Sequence, residues 1–334
     1  MRIGFKKSTL NVIVIAAVVV VSVLLIAYWP KEAAPEKQIK VVAIATLVSH
    51  PALDSLQDNL RQELAAEGFR EGTTIRYELR NASGQMQLLA TIANELASIK
   101  PDVTVAITTP VAQAVTKAVR GPIVFSAVSD PVGAGLVKSL EVPVTDLTGA
   151  TDAWPYNDQL KLIREVTPGV KRLAVIFNPG EAASQYGMKL IRQFAPQHGF
   201  ELVEGAVGST SEVYSVADNL AGKADAIFLS SDSTAIGGVT GALRVATKRK
   251  VPLYVGDSGT VAKGGLAAVS IGYDRLGRET GKLVAQALRG QRLIPIISPQ
   301  GSEVVVNTKA AEMMGVTIPP AVLARAKVIR EIQE

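Results

Sequence analysis

The chain has 334 residues, 35 Lys and Arg against 30 Asp and Glu, two His and no Cys. That length suits two lobes with separate cores, and 48% hydrophobic with 19% charged residues excludes a disordered chain. Without Cys there is no disulfide, Cys-based metal centre, thiol nucleophile or lipobox, and His50 and His198 alone make a His-rich metal site a poor fit.

Three of the five net positive charges lie in residues 1–35, where Arg2, Lys6, Lys7 and Lys31 stand against Glu32. The nearly neutral remainder has no long-range pull on nucleic acid. Residues 1–10 read as a cytoplasmic n-region, 11–30 as a transmembrane helix or signal anchor, and 31–39 as a tether. Between Lys7 and Lys31 run 23 uncharged residues, a helix of ~34 Å that matches one bilayer core. The preceding cations place the N-terminus in the cytoplasm and the body on the extracytoplasmic, periplasmic side of the inner membrane. The alternative is a cleaved secretory signal and a periplasmic body. Such signals have apolar cores of roughly 7–15 residues and an A-x-A-like site, whereas Ala33 and Ala34 here follow a charged pair.

From Lys40 onward, short β-branched runs alternate with amphipathic stretches. Strands are expected at 41–46, 75–79, 103–107, 123–128, 147–151, 173–177, 202–207, 226–230, 253–256, 266–271 and 303–306. Helices are expected near 52–66, 85–99, 111–118, 156–166, 182–197, 212–220, 234–248 and 273–289. Continuous apolar strands separated by helices indicate parallel sheets buried on both faces. The fold class is therefore α/β, with two doubly wound parallel-sheet lobes joined by three crossover segments. The first lobe takes 40–149 plus 272–301 and the second 150–271 plus 302–334.

In such sheets ligands bind beyond the carboxyl ends of the strands, near helix N-termini. The residues at those ends are Ser49 and His50 after the first strand, Thr108 and Thr109 after the third, and Ser129 and Asp130 after the fourth. Asp152 follows the fifth, Asp232 and Ser233 the eighth, and Asp257 the ninth. Each one alone is as well explained as an N-cap. Together they place hydroxyls and carboxylates around one cleft, a combination suited to a zwitterion whose carboxylate meets hydroxyls and helix N–H groups while its ammonium meets an Asp. Trp154, Tyr156 and Tyr186 are candidates for an aromatic wall. No Walker A, H-E-x-x-H or G-x-S-x-G pattern occurs, and Gly133-Ala134-Gly135 lacks the third glycine of a dinucleotide loop because Lys138 stands there. No catalytic residue, metal or cofactor is expected.

Several of these segments resemble one known family. Ser49-His50-Pro51-Ala52-Leu53-Asp54, the run Ser129-Asp130-Pro131-Val132-Gly133-Ala134-Gly135-Leu136-Val137, and Gly149 with Asp152 and Gln159-Leu160 are similar to the ABC-transporter substrate-binding proteins that include tryptophan- and tyrosine-type members. The likeness runs from about Lys40 to Arg330 and includes Asn307 and Gly315-Val316-Thr317-Ile318-Pro319. It implies a type 1 periplasmic-binding fold that closes by a hinge on a small solute, an amino acid or a related molecule. It also implies an ABC permease and its ATPase as partners, and a ligand site at Ser49, Thr108, Thr109, Ser129, Asp130, Asp152, Asp232 and Asp257. Many members are lipoproteins or free in the periplasm, and the Cys-free anchor departs from that pattern. A ligand-sensing receptor module without transport is the alternative, and an α/β enzyme a weaker one.

Overall fold

The computed structural model describes residues 18–22, 39–230, 232–298 and 301–333. The expected membrane segment, 11–30, lies outside the described residues except for one helical turn at 18–22. Among the described residues no helix is long and apolar enough to cross a membrane.

Five strands form the first sheet: Lys40–Thr46 (β1), Ile75–Asn81 (β2), Val103–Ile107 (β3), Ile123–Val128 (β4) and Leu147–Thr151 (β5). Their order is β2-β1-β3-β4-β5, and every pairing is parallel. Strands β3 and β4 are buried at every position, as a sheet covered on both faces requires. Pro51–Ala66 (α1) covers one face, and Leu89–Ile99 (α2) and Thr109–Ala118 (α3) cover the other.

The chain then passes through Tyr156–Val166 (α4) into a second parallel series. Arg172–Phe177 (β6), Ala182–Phe194 (α5), Glu201–Ala206 (β7), Val213–Leu220 (α6), Ala226–Leu229 (β8), Ser233–Gly237 (α7), Val239–Arg249 (α8) and Leu253–Tyr254 (β9) follow in turn. The sheet order is β7-β6-β8-β9, the same reversal as in the first sheet. After Ser258–Ala262 (α9), the strand Ala267–Ser270 (β10) runs beside β9, with Leu266 N–H donating to Leu253 O at 2.8 Å and Val255 N–H to Ala267 O at 3.2 Å. Glu303–Asn307 (β11) pairs antiparallel with β10, and Lys327–Ile329 (β12) pairs parallel with β11. Thr308–Met314 (α11) and Pro320–Leu323 (α12) lie between these last two strands.

The remaining helix, Tyr273–Leu288 (α10), follows β10 yet packs on α1 and on β3, β4 and β5 of the first sheet. Its approach to α1 is close because Gly277 lies there: a Cβ would come within 2.3 Å of Leu56 O. Ile297 then bridges Ala150 beside β5 before the chain returns to β11. The backbone thus passes three times between the first sheet and the strands β6 to β12, after β5, after β10 and after Ile297. Side chains tie the passages together: Tyr273 donates to Asp152 at 3.0 Å, and Thr151 donates to Ser298 at 2.9 Å.

Candidate functional site

A crevice opens in a parallel sheet where the strand order reverses, here beyond β1 and β3 in one sheet and beyond β6 and β8 in the other. The loops after these strands and the crossing segments enclose a small cavity between the two series of strands. The first sheet contributes Val48, His50, Ala52, Leu53, Thr108, Thr109, Ala127 and Ser129. The second contributes Ala183, Asp232, Ser233, Ile236 and Asp257, and the crossings add Asp152, Trp154 and Tyr273. Three carboxylates and no Lys or Arg line this space.

Asp152 is fully buried beside the cavity. Ser129 donates to its Oδ1 at 2.8 Å and Tyr273 to its Oδ2 at 3.0 Å, while Trp154 Nε1–H donates to the Tyr273 hydroxyl at 3.1 Å. Burial raises its carboxyl to about 6 despite those two donors, and no cation offsets the burial. The Trp154 indole lies on the backbone of Gly256, where a Cβ would fall 1.7 Å from the ring; only glycine admits the aromatic wall in this position.

Asp232 and Asp257 also face the cavity, but helix caps occupy much of their bonding capacity. Asp232 accepts from Ala235 N–H at 2.6 Å, Asn178 N–H at 3.1 Å and Ser184 Oγ at 3.2 Å. Burial and the neighbouring Glu181 raise its pKa. Glu181, itself buried, accepts from the N–H groups of Ser233 and Thr234 at 3.0 and 2.9 Å. Asp257 accepts from Thr260 N–H at 2.8 Å and from its hydroxyl at 2.7 Å.

His50 reaches from the start of α1 to α9, its Nε2 lying 2.7 Å from Thr260 Oγ1. Its Nδ1 accepts from Ala52 N–H, so Nε2 carries the proton and donates to Thr260, whose own proton goes to Asp257. Burial lowers the His50 pKa, with Asp257 acting in the opposite direction, in keeping with a neutral ring.

Thr108 and Thr109 present two buried hydroxyls without hydrogen-bond partners at the start of α3, and no side chain caps that helix. Thr108 has φ +84° and ψ 155°, a region populated almost only by glycine and costing about 1–3 kcal/mol. Such an arrangement of free hydroxyls and helix N–H groups is suited to an anionic group.

Eight of the ten residues expected from sequence line the cavity. Ser49 and Asp130 do not: Ser49 is exposed and donates to Asp54 at 2.9 Å, and Asp130 accepts from Gly133 N–H at 2.8 Å within its own turn. Of the three proposed aromatics only Trp154 is at the cavity. Tyr273 was missed, although it too follows a strand end. The apolar wall of Val48, Ala52, Leu53, Ala183 and Ile236 has no local signature that separates it from core. Among the described residues, no group of three or more His, Asp or Glu is placed to hold a metal ion.

Residues 41–329 match the family described as ABC transporter substrate binding protein. The chain belongs to this family. It is 33% identical over 274 residues to a tyrosine-binding protein of Clostridioides difficile, covering 81% of this chain and 79% of that one. The structure of an ABC domain from Streptococcus pneumonia in complex with L-Trp superposes with a TM-score of 0.83 at 31% identity, covering 88% of this chain and all of that one. The ligand-free, open structure of a Clostridium difficile substrate binding protein with adhesive properties gives 0.64 at 32% identity and the same coverage. As a substrate-binding protein of type 1 periplasmic-binding fold, the chain is a receptor for a small solute and not an enzyme.

Proposed function

We propose that this receptor binds an aromatic amino acid between two lobes, 40–149 with 272–301 and 150–271 with 302–334, and closes on it by a hinge. The ligand's ammonium pairs with Asp152, the cavity carboxylate that no helix cap engages. Its carboxylate takes the N-terminus of α3 with the Thr108 and Thr109 hydroxyls, and its ring lies against Trp154 and the apolar wall. His50, Asp232, Ser233 and Asp257 close the site from the sides, with Ser129 holding Asp152. Ser49 and Asp130 shape the loops at its edge.

One observation carries this reading. At nearly equal identity the chain superposes far better on the L-Trp complex than on the open, ligand-free relative, so the cavity is read as that of a closed receptor. The His50–Thr260 bond from one lobe to the other accords with closure. In the cell the receptor would deliver its ligand to an ABC permease and ATPase from the extracytoplasmic side, held by segment 11–30 as an anchor or released after its cleavage. A thermal-shift screen of the full chain against the twenty amino acids tests the ligand class: L-tyrosine or L-tryptophan should give the largest rise in Tm, and a preference for a small or acidic amino acid would overturn it.

A further inference from the structure

We propose that Tyr273 is a positioning residue of this binding site, holding the Asp152 carboxylate and the Trp154 indole in register through one hydroxyl. This deepens the aromatic amino-acid reading and rests on it for the ligand, but not for the geometry.

The Tyr273 hydroxyl has one proton, and that proton goes to Asp152 Oδ2 at 3.0 Å. Its lone pair receives Trp154 Nε1–H at 3.1 Å. Two groups that would face the ligand, one anionic and one aromatic, are therefore fixed by the same atom. The ring of Tyr273 is 7% exposed and begins α10, which packs on the first sheet, while Asp152 and Trp154 belong to the crossing after β5. The hydroxyl thus joins two of the three passages between the sheets at the point where the ligand's charge would be received. Burial and the adjacent Asp152 keep the phenol protonated, so it remains a donor throughout the neutral range.

Asp152 is held by two donors, and losing one removes a hydrogen bond to a charged group, an effect that raises a carboxyl by about one pH unit. The titratable groups around Asp152 are Tyr273 on α10, His50 before α1, Asp257 before α9 and Asp232 before α7; Lys and Arg are absent from the lining. His50 is a second buried titratable group at the cavity, its pKa lowered by burial, so the readout needs Asp152→Asn as its control.

The test uses the full chain carrying Trp29→Phe, which leaves Trp154 as the sole tryptophan. In ligand-free protein, Trp154 fluorescence against pH should show a step near Asp152's value of about 6. Asp152→Asn should abolish that step, and Tyr273→Phe, which keeps the ring's packing, should move it up by about one pH unit. L-Tyrosine affinity of Tyr273→Phe should fall about 5-fold at pH 6, where a carboxyl raised by one unit is about one-tenth ionised against about one-half in the wild type, and return to within about 2-fold of wild type at pH 8.5, where both are ionised. In an Asp152→Asn background the same substitution should change affinity by less than about 2-fold. An unmoved step, or an affinity loss equal at both pH values, overturns the proposal. A shifted step in a protein that binds no L-tyrosine or L-tryptophan supports the role of Tyr273 and overturns the ligand reading instead.

Discussion

Asp152 holds its charge against its surroundings. A carboxyl raised from 3.8 to about 6 binds its proton in the folded state at a pH where the unfolded chain has already lost it. Between pH 4 and 6 the folded state therefore carries more protons, and stability falls as pH rises through that window, by about 3 kcal/mol in all. Asp152→Asn should remove this dependence and raise the Tm at pH 7.5, measured by thermal unfolding of the ligand-free protein. Affinity has the opposite sign, since the ammonium needs the ionised form, and the wild type should bind more weakly as pH falls below 6. Asp232 differs from Asp152 although both were legible as strand-end acids. Its oxygens serve Ala235, Asn178 and Ser184, so Asp232→Ala should lower stability by about 1–3 kcal/mol in denaturant unfolding. Sequence could name both residues but could not separate the cap from the counter-ion, because that depends on which neighbours fold back onto each carboxylate.

At the scale of elements, the parallel strands were legible to within a residue or two because β-branched runs buried on both faces leave a continuous apolar signature. Strand β9 ends early: expected to reach 256, it stops at Tyr254, just before the Gly256 backbone on which the Trp154 ring lies. The helix expected at 234–248 is broken at Gly238, where a Cβ would meet Val213 at 2.4 Å. Strand β12 escaped notice because three residues give no period to read. In the proposed function the start of α3 receives the ligand's carboxylate. Thr108 keeps a glycine-like backbone and an unpartnered hydroxyl, so Thr108→Gly should relieve strain of about 1–3 kcal/mol while removing a hydroxyl that the proposed function assigns to the ligand's carboxylate. Thermal unfolding should show no loss of stability, and titration should show affinity reduced several-fold; a destabilised protein with full affinity would count against a role in binding.

On the scale of the whole molecule, His50 before α1 bonds Thr260 of α9; under the proposed hinge motion this contact joins the two lobes and needs no ligand. Thr260→Val should shift the ligand-free protein toward the open form and weaken every ligand by the same factor, about 5–10-fold. Small-angle scattering with and without L-tyrosine reads the first effect, and a ligand series reads the second. Three of the five net positive charges lie in residues 1–35, whereas the cavity is lined by carboxylates and by no Lys or Arg. In the proposed function this acidic, aromatic-walled cavity recognises an aromatic amino acid through Asp152. Calorimetric titration of L-tyrosine and L-tryptophan into the wild type and Asp152→Asn at pH 7.5 tests it most directly. The wild type should show one site per chain and the variant an affinity at least about 30-fold lower; equal affinities in the two proteins, or no binding by the wild type, would overturn recognition through Asp152.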